Sequence, residues 1–339
     1  MPKAEAQTYE VGNRSVRLSS PDKVMFPERG FTKKDVFEYY LAVQEPMLRA
    51  VDRRPTTLQR FPDGIEGEAF YQKRVPQRGA PEWLTTAEIT FPSGRKAVEL
   101  CPTEPAHLVW AAQMGTVVFH PWPVRGERPD HPDELRIDLD PQPGTDFADA
   151  VEVAFLAREL FAEAGLEAYP KTSGGRGVHL FVRIRPEWDF IEARHAAIAF
   201  GRELERRHPK AVTMAWWKEE RGERIFIDFN QMCRDRTIAA AYSLRANGRA
   251  TASAPVTWDE LRSADPDDFD LRSLPKLVAE RGDPWAGREE RVFGLETLME
   301  WWERDPVEQP YPPDYPKMPG EPMRVQPSRA RNPEGVPED

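Results

Sequence analysis

The chain has 339 residues, of which 40% are apolar and 31% are charged. This composition is typical of a folded globular protein, and the length suffices for one large domain or two modest ones. No run of 18 or more apolar residues occurs, so we expect neither a membrane-spanning helix nor a secretory signal. Only two cysteines are present, without a CxxC pair, which disfavours a disulfide scaffold or thiolate zinc site and fits a cytoplasmic protein.

Charge and proline are unevenly distributed along the chain. The formal net charge is −10, but residues 255–310 carry −8, whereas residues 1–100 carry +2. An acidic total therefore does not exclude a nucleic-acid partner, because the local field decides binding. Ten of the 34 prolines lie in residues 306–339. We expect this segment to form an extended tail, laid over the body through Tyr311 and Tyr315.

Helix and strand patterns alternate through the middle of the chain. A capping box of Thr32 and Asp35 predicts one helix start, and apolar stripes predict helices over 146–164 and 189–207. The runs that predict strands are LRIDLD (135–140), VHLFVRIR (178–185), RIFIDF (224–229) and TIAAAYSL (237–244). This alternation predicts an α+β fold, with helices packed on a mixed sheet.

Three aspartates lie near the ends of two predicted strands. Asp138 and Asp140 share one face of the first strand, and Asp228 is the single acid in an apolar run. Carboxylates this close repel one another unless a proton or cation intervenes. Mg²⁺ or Mn²⁺ would relieve the repulsion, and two such ions indicate phosphoryl or nucleotidyl transfer. The alternatives are a solvated strand face for the DxD pair and an arginine partner for Asp228.

A glycine-rich segment, KTSGGRGVH (171–179), lies between the acidic strands. Its glycines let the backbone approach phosphate oxygens, and Ser173, Arg176 and His179 add further donors. It matches neither the Walker A pattern nor GxGxxG, and a glycine-rich hairpin is the alternative. The sequence around Asp228 is rich in basic residues: Lys218, Arg221, Arg224, Arg234, Arg236 and Arg245. Such a set can neutralise a triphosphate or a nucleic-acid backbone, and the alternative is a charged surface loop.

Taken in order, DLD, SGGRGVHL, FIDFNQ and TIAAAYSLR resemble the motifs of the archaeo-eukaryotic primase superfamily. More narrowly, the chain resembles bacterial primase-polymerases related to the polymerase domain of the end-joining ligase LigD, from about residue 18 to about residue 300. The given sequence shows no ligase or phosphoesterase motifs beside these polymerase motifs. We therefore expect a stand-alone member of the family, similar to the mycobacterial type associated with LigC. The resemblance implies an RRM-like catalytic domain over 1–305, with an N-terminal α/β part (1–125) and a metal-binding core with C-terminal helices (126–305).

The resemblance also implies a role for each matching residue. The implied ligands of two Mn²⁺ or Mg²⁺ ions are Asp138, Asp140 and Asp228. The implied nucleotide-binding residues are His120, Ser173, Arg176, His179, Arg221, Arg236, Arg245 and Arg60. Phe70 matches a template position, and Lys23 with Lys33 matches the pair that binds a 5′-phosphate at the downstream edge of a gap. Gln59 stands where ligase-linked relatives usually have lysine.

These roles imply a template-dependent primase-polymerase that adds nucleotides, NTPs before dNTPs, to a primer 3′-hydroxyl and fills short gaps during DNA repair. End joining and base excision repair are the candidate pathways. The implied partners are gapped or primer-template DNA with a 5′-phosphorylated end, NTPs or dNTPs, a separate ATP-dependent DNA ligase and Ku, in the bacterial cytoplasm with the nucleoid. Two alternatives stay open: a metal-dependent nuclease or phosphoesterase, and a non-catalytic module that binds 5′-phosphorylated DNA ends.

Overall fold

A computed structural model describes residues 5–76, 78–317 and 327. The first part of the chain forms two hairpins, three helices and a five-stranded sheet. Its elements are β1 (Gln7–Val11), β2 (Arg14–Leu18), β3 (Val24–Phe26), β4 (Phe31–Thr32), α1 (Lys33–Ala42), α2 (Gln44–Val51), β5 (Thr56–Arg60), β6 (Phe70–Gln72), β7 (Thr86–Thr90), β8 (Lys96–Leu100), α3 (Pro105–Gln113) and β9 (Thr116–Pro121). In the sheet, β5 pairs antiparallel with β6, β8 and β9, and β7 pairs with β8.

The second part forms another five-stranded sheet with two long helices packed against it. Its elements are β10 (Glu134–Pro141), α4 (Phe147–Glu163), β11 (Tyr169–Thr172), β12 (Val178–Arg183), α5 (Phe190–Arg207), β13 (Val212–Thr213), β14 (Ile225–Ile227), α6 (Trp258–Leu261), α7 (Ser273–Arg281) and α8 (Glu296–Arg304). The strand order is β11-β12-β10-β14-β13, and all pairs are antiparallel except β13 with β14. This sheet with its helices confirms the predicted α+β class.

Short-range hydrogen bonds determine where the predicted helices begin. Thr32 caps α1, because its hydroxyl accepts the N–H of Asp35 while the Asp35 carboxylate accepts the N–H of Thr32. Asp146 and Asp189 cap α4 and α5 in the same way. The observed ends of these two helices agree with the prediction within one residue.

Two of the predicted strands differ from the structure. Residues 237–244 form a buried loop instead of a strand, because Tyr242 takes a left-handed φ of 66°, which interrupts a ladder. The N–H of Ala240 donates to Phe119 O at 2.8 Å, which ties the loop to β9 of the first sheet. The strand predicted over 224–229 ends at Ile227, where a short 3₁₀ turn follows.

The largest hydrophobic cluster of the described residues includes side chains from both sheets. Two neighbouring tyrosines of α1 connect the parts, since Tyr39 Oη donates to Tyr242 O at 2.7 Å and Tyr40 Oη accepts from Leu244 N at 3.0 Å. Buried Arg54 forms a further connection through its ion pairs with the neighbouring acids of residues 133–134. In the described part of the chain, no helix is long and apolar enough to cross a membrane.

The described part of the proline-rich segment lies against α5 as an extended chain. Tyr311 and Tyr315 are buried and stacked, with ring centroids 5.2 Å apart, as the sequence predicted. Glu308 pairs with Arg194 of α5 at 2.7 Å, and the Arg194 guanidinium lies 3.8 Å from the centroid of Tyr311. Beyond residue 317 only Pro327 is described, so the rest of the predicted tail lies outside the described residues.

Candidate active site

The register of the second sheet brings the three predicted aspartates together. In β10, Asp138 lies opposite His179 of β12, and Asp140 lies opposite Phe226 of β14. Asp228 directly follows β14, and its N–H donates to the carbonyl of Asp138 at 3.2 Å. The aliphatic side chains of β10 are buried on the opposite face, as strand alternation predicted.

The three carboxylates make one another harder to ionise. Burial, and then the charges of Asp228 and Asp140, raises the pKa of Asp138 to about 8. Burial likewise raises the pKa of Asp140 and that of Asp228. A cluster of oxygen ligands whose charges repel is the donor set that a hard divalent cation stabilises.

Amide side chains contact these carboxylates in the structure. Gln231 Nε2 lies 3.4 Å from an oxygen of Asp138 and 3.4 Å from an oxygen of Asp228. Gln142 Nε2 donates to Asp140 Oδ2 at 3.0 Å. As placed, no three acidic, histidine or cysteine side chains of the described residues converge on one point where an ion could sit.

An orphaned acceptor supports the fit of a hydrated cation at this place. The buried Gln231 Oε1 has no hydrogen-bond partner among the described residues, although its amide nitrogen contacts two of the aspartates. A buried polar atom without a partner is costly. A water carried by a divalent ion would supply the missing donor, so the residues present fit Mg²⁺ or Mn²⁺.

The glycine-rich turn joins β11 to β12 beside the aspartates. Ser173 Oγ accepts the N–H groups of Gly175 and Gly177 at 3.1 and 3.0 Å, which holds the turn closed. A Cβ atom on Gly177 would lie 2.8 Å from the carbonyl oxygen of Leu139. Glycine is therefore needed where the turn crosses β10, and Arg176 is held nearby through a 3.3 Å bond to Pro141 O.

His179 lies between an aspartate and a buried lysine. Its Nε2 is 3.4 Å from Asp138 Oδ1, and its Nδ1 is 2.7 Å from Lys171 Nζ. Burial lowers the pKa of His179 and that of Lys171, and the charge of Arg245 lowers both further. The predicted phosphate-binding histidine therefore faces the acidic cluster directly.

The predicted arginines surround the acidic cluster. Burial is the largest cause of the raised aspartate pKa values, and nearby arginine charges offset part of the rise. Arg221 and Arg176 lower the pKa of Asp140, and Arg245 lowers that of Asp138. Arg221 and Arg236 lower the pKa of Asp228. Arg221 Nη1 also donates to Gln142 Oε1 at 3.3 Å. Arg236 pairs with Asp314 of the proline-rich segment at 2.5 Å. Four arginine side chains thus lie close enough to the aspartates to lower their pKa values, and their contact with a triphosphate stays a prediction.

The first sheet contributes His120, which lies on β9 and faces the same site. Its Nε2 is 3.3 Å from Gln59 Oε1, and its ring meets Tyr71 edge-on, with centroids 5.6 Å apart. Burial, and then the charges of Arg245 and Lys171, lowers the pKa of His120 to about 3. Lys171 lies on β11, so a charge from the second sheet acts on this histidine of the first sheet.

A second cationic cluster forms at the N-terminus of α1. Lys33 Nζ donates to Ser19 O at 2.9 Å, and Lys23 Nζ donates to Asp63 Oδ1 at 2.8 Å. Burial, and then the charges of Lys23 and Arg60, lowers the pKa of Lys33 to about 8. The predicted 5′-phosphate pair therefore lies together, with Arg60 as a third cation.

An aromatic surface adjoins this cluster. Phe70 and Tyr71 of β6 are 43% and 52% exposed. The guanidinium of Arg60 lies 5.0 Å from the ring centroid of Phe70 and donates to Gln72 Oε1 at 2.6 Å. Arg60 thus lies between the predicted 5′-phosphate lysines and the predicted template residue, and its contact with the nucleotide stays a prediction.

Comparison with known proteins shows the family. Residues 32–285 match the family model of the LigD primase-polymerase domain. The chain belongs to this family. The LigD proteins of Mycolicibacterium smegmatis and Pseudomonas aeruginosa are 38% and 32% identical to it, over 76% and 84% of the chain. The matched part is 34% of each of these relatives, so the chain spans about a third of their length.

A solved structure supports the same assignment. The polymerase domain of Mycobacterium tuberculosis ligase D, in complex with DNA, matches with a TM-score of 0.76 and 33% identity. The match covers 82% of this chain and 99% of that one. Together these similarities confirm the predicted primase-polymerase family, the fold and the enzyme class, a nucleotidyltransferase.

Sequence reasoning assigned no role to four side chains that contact residues of this primase-polymerase site: Gln59, Gln142, Lys171 and Gln231. Gln142 and Gln231 lie within the short motifs DLDPQ and FIDFNQ, directly after the acidic residues. An amide next to clustered carboxylates could have been recognised from the sequence as a partner for them. Lys171 opens the glycine motif, but only the fold shows that it is buried.

Proposed function

We propose that the protein is a template-dependent primase-polymerase that adds nucleotides to a primer 3′-hydroxyl and fills short gaps in DNA. One observation carries the proposal: a cluster of three carboxylates, a glycine turn and four arginines occupy the same site. The carboxylates suit divalent ions, and the turn with the arginines suits a triphosphate. A nuclease needs the first part and has no use for the second.

The proposed roles follow from where the side chains lie. Asp138, Asp140 and Asp228 would hold two Mg²⁺ or Mn²⁺ ions, which when bound acidify the primer hydroxyl and stabilise the leaving pyrophosphate. Four arginines would neutralise the triphosphate: Arg176, Arg221, Arg236 and Arg245. Ser173 would hold the glycine turn in shape, and His120 would face the sugar of the nucleotide. The protein thereby orients the reacting oxygens and performs little covalent chemistry itself.

The cluster at α1 suits the downstream end of a gap. The charges of Lys23 and Arg60 disfavour the charge of Lys33, and a phosphate dianion would relieve that repulsion. The N–H groups that begin α1 add a partial positive charge at the same place. The exposed ring of Phe70 offers a surface on which a template base stacks.

The names of the relatives support a biological setting for the proposed reaction. The curated relatives are named multifunctional non-homologous end joining proteins, and the solved one is in complex with DNA. We therefore place this chain in DNA end joining or gap repair, with DNA as its partner. A preference for NTPs, a separate ATP-dependent ligase and Ku as partners, and action beside the nucleoid are further parts of the proposal.

Extension of a labelled primer tests the proposal. The substrates are a gapped duplex with a 5′-phosphate, the same gap with a 5′-hydroxyl, and an open primer-template, each with NTPs or dNTPs and with Mn²⁺ or Mg²⁺. We expect extension that is fastest on the phosphorylated gap and with NTPs. Shortening of the primer would support a nuclease instead, and binding of 5′-phosphorylated ends without extension would support a binding module.

A further inference from the structure

The described start of the proline-rich segment, residues 306–317, forms a strap that is anchored at two places on the second part of the fold. At its upstream end Glu308 pairs with Arg194 of α5 at 2.7 Å. Further along, Tyr311 and Tyr315 are both buried, with their rings stacked. These anchors hold the residues between the two tyrosines in place on the surface of the body.

One acidic side chain of the strap contacts an arginine of the proposed nucleotide site. Asp314 pairs with Arg236 at 2.5 Å, whereas the neighbouring Asp235 pairs with Lys73 at 3.0 Å. Burial raises the pKa of Asp228, and the charge of Arg236 offsets part of that rise. The guanidinium that the strap engages is therefore one that also acts on the acidic cluster.

A second contact joins the proline-rich segment to the same surroundings. The N–H of Lys218 donates to Pro327 O at 2.7 Å. Burial raises the pKa of Asp140, and the charge of Lys218 is among those that offset the rise. Both contacts are made by chain that lies beyond residues 32–285, the part that the family model matches. The proline-rich segment thus reaches two basic residues beside the acidic cluster.

A carboxylate and a phosphate group compete for one guanidinium, because each accepts its N–H groups and neutralises its charge. We propose that Asp314 is an intramolecular competitor of the triphosphate, which weakens nucleotide binding until the incoming phosphates displace it from Arg236. The inference rests on the proposed function, which assigns Arg236 to the triphosphate. The two side chains are 77% and 35% exposed, so water screens their pair, and the competition amounts to roughly two- to fivefold in affinity.

Two other interpretations of this ion pair predict different results. If Asp314 orients Arg236 towards the nucleotide, loss of the carboxylate weakens nucleotide binding. If the pair is an inert surface contact, loss of the carboxylate changes nothing. The direction of the change in affinity therefore distinguishes competition from orientation and from an inert contact.

Titration of the full chain with inorganic tripolyphosphate, and separately with an NTP, both with Mg²⁺, measures this direction. Asp314→Asn removes the charge and keeps the shape of the side chain. We expect both dissociation constants to fall roughly two- to fivefold at low salt, and the gain to shrink at high salt, because salt screens exposed charges. An unchanged or higher dissociation constant overturns the inference.

Two matched variants separate competition from the loss of one negative charge. Asp305→Asn removes an exposed carboxylate that lies 3.6 Å from Arg202 of α5 instead, and it should leave both affinities unchanged. Asp314→Glu keeps the charge and should retain the wild-type affinities. A gain from Asp305→Asn as large as that from Asp314→Asn would show general electrostatics and overturn the inference.

A double-mutant cycle tests whether Asp314 acts through Arg236. In an Arg236→Gln background, Asp314→Asn should have no further effect on the dissociation constants. An equal gain in both backgrounds overturns the inference, and so does a wild-type chain that binds neither tripolyphosphate nor the NTP. A wild-type chain that binds both but does not extend primers refutes the proposed function, while the titrations still decide the competition.

Discussion

At Asp138 the needs of the reaction and of stability oppose each other. The side chain lies in a cluster of three carboxylates whose burial and mutual repulsion disfavour their charge. Asp138→Asn removes one ionisable group and keeps the shape of the side chain. We expect primer extension to fall at least about 100-fold, as a ligand of the proposed ions is lost. The thermal midpoint of the metal-free protein should stay equal or rise. Exposed Asp259→Asn is the control, and a variant that retains activity contradicts the assignment.

Lys23 and Lys33 allow a sharp test of the gap end, because the next residue is a natural control. Lys34 is also a lysine of α1, but it is exposed and lies 3.6 Å from Glu38. Changing Lys23 and Lys33 together to alanine should abolish the preference for a 5′-phosphorylated gap, roughly a 10-fold effect on affinity, and spare extension of an open primer-template. Lys34→Ala should keep the preference. Affinities at two salt concentrations distinguish the specific contact from general attraction to the backbone, which salt screens.

The glycine turn contains a matched pair of positions. A Cβ on Gly177 would meet the Leu139 carbonyl at 2.8 Å, whereas one on Gly175 would meet only Ser173 Oγ, at 3.5 Å. Gly177→Ala should therefore push the turn away from β10, cost about 1–3 kcal/mol of unfolding free energy and weaken nucleotide binding. Gly175→Ala should be nearly neutral for stability. Urea unfolding and nucleotide titration check both, and equal effects at the two positions would contradict the close approach.

At the scale of elements, residues 306–317 of the proline-rich segment pack against the folded body. The side chain of Arg194 is 1% exposed and has Glu308 as its carboxylate partner, whereas Asp314 is 77% exposed in its pair with Arg236. Glu308→Ala leaves a buried cation without its counter-charge and should cost roughly 2–4 kcal/mol. Asp314→Ala should change stability by less than about 0.5 kcal/mol, as usual for exposed pairs. Chemical denaturation measures both, and a neutral Glu308→Ala would show that the pair of Glu308 with Arg194 does not stabilise the fold.

At the scale of the whole molecule, stability should depend on pH through buried acids, and Glu99 is one that lies outside the aspartate cluster. Burial raises the pKa of Glu99 from its reference value of 4.5 to about 8. The hydrogen bond that Thr57 donates to its carboxylate at 3.2 Å lowers the pKa and offsets part of this rise. Between these two pH values the folded chain holds a proton that the unfolded chain has lost. Stability contributed by this proton is therefore present below about pH 4.5 and is lost as the pH rises towards 8.

Glu99→Gln tests this dependence. The amide resembles the protonated acid and does not titrate. Between pH 5 and pH 8.5 the unfolding free energy of the wild type should therefore fall by roughly 2–4 kcal/mol more than that of the variant. Urea unfolding at both pH values gives the comparison. Parallel pH profiles for the two proteins would show that Glu99 is ionised in the folded state.

The two sheets act together in the proposed reaction. His120 comes from the first sheet and the carboxylates from the second, and the loop over 237–244 joins them through the bond from Ala240 to Phe119. A continuous core fills the space between them. The division into an N-terminal part (1–125) and a core (126–305) stays a prediction.

The sequence by itself determined what depends on neighbours along the chain. Period-two alternation placed Asp138 and Asp140 on one face of β10, and capping boxes at Thr32, Asp146 and Asp189 determined helix starts. Ordered motifs predicted the family before any contact was visible. These features need only the local geometry of strands, helices and turns, so a few residues contain the information.

Only the tertiary structure decided which distant residues meet. Strand register placed Asp138 opposite His179, and the fold buried Lys171 against that histidine. It also turned a strand-like run into a loop, where a left-handed Tyr242 lets the chain bond to β9 and β-propensity is overridden by packing. Such contacts join residues far apart in the chain, and they depend on how the whole core fills. The raised pKa values of the aspartates follow from the same burial, which no local pattern encodes.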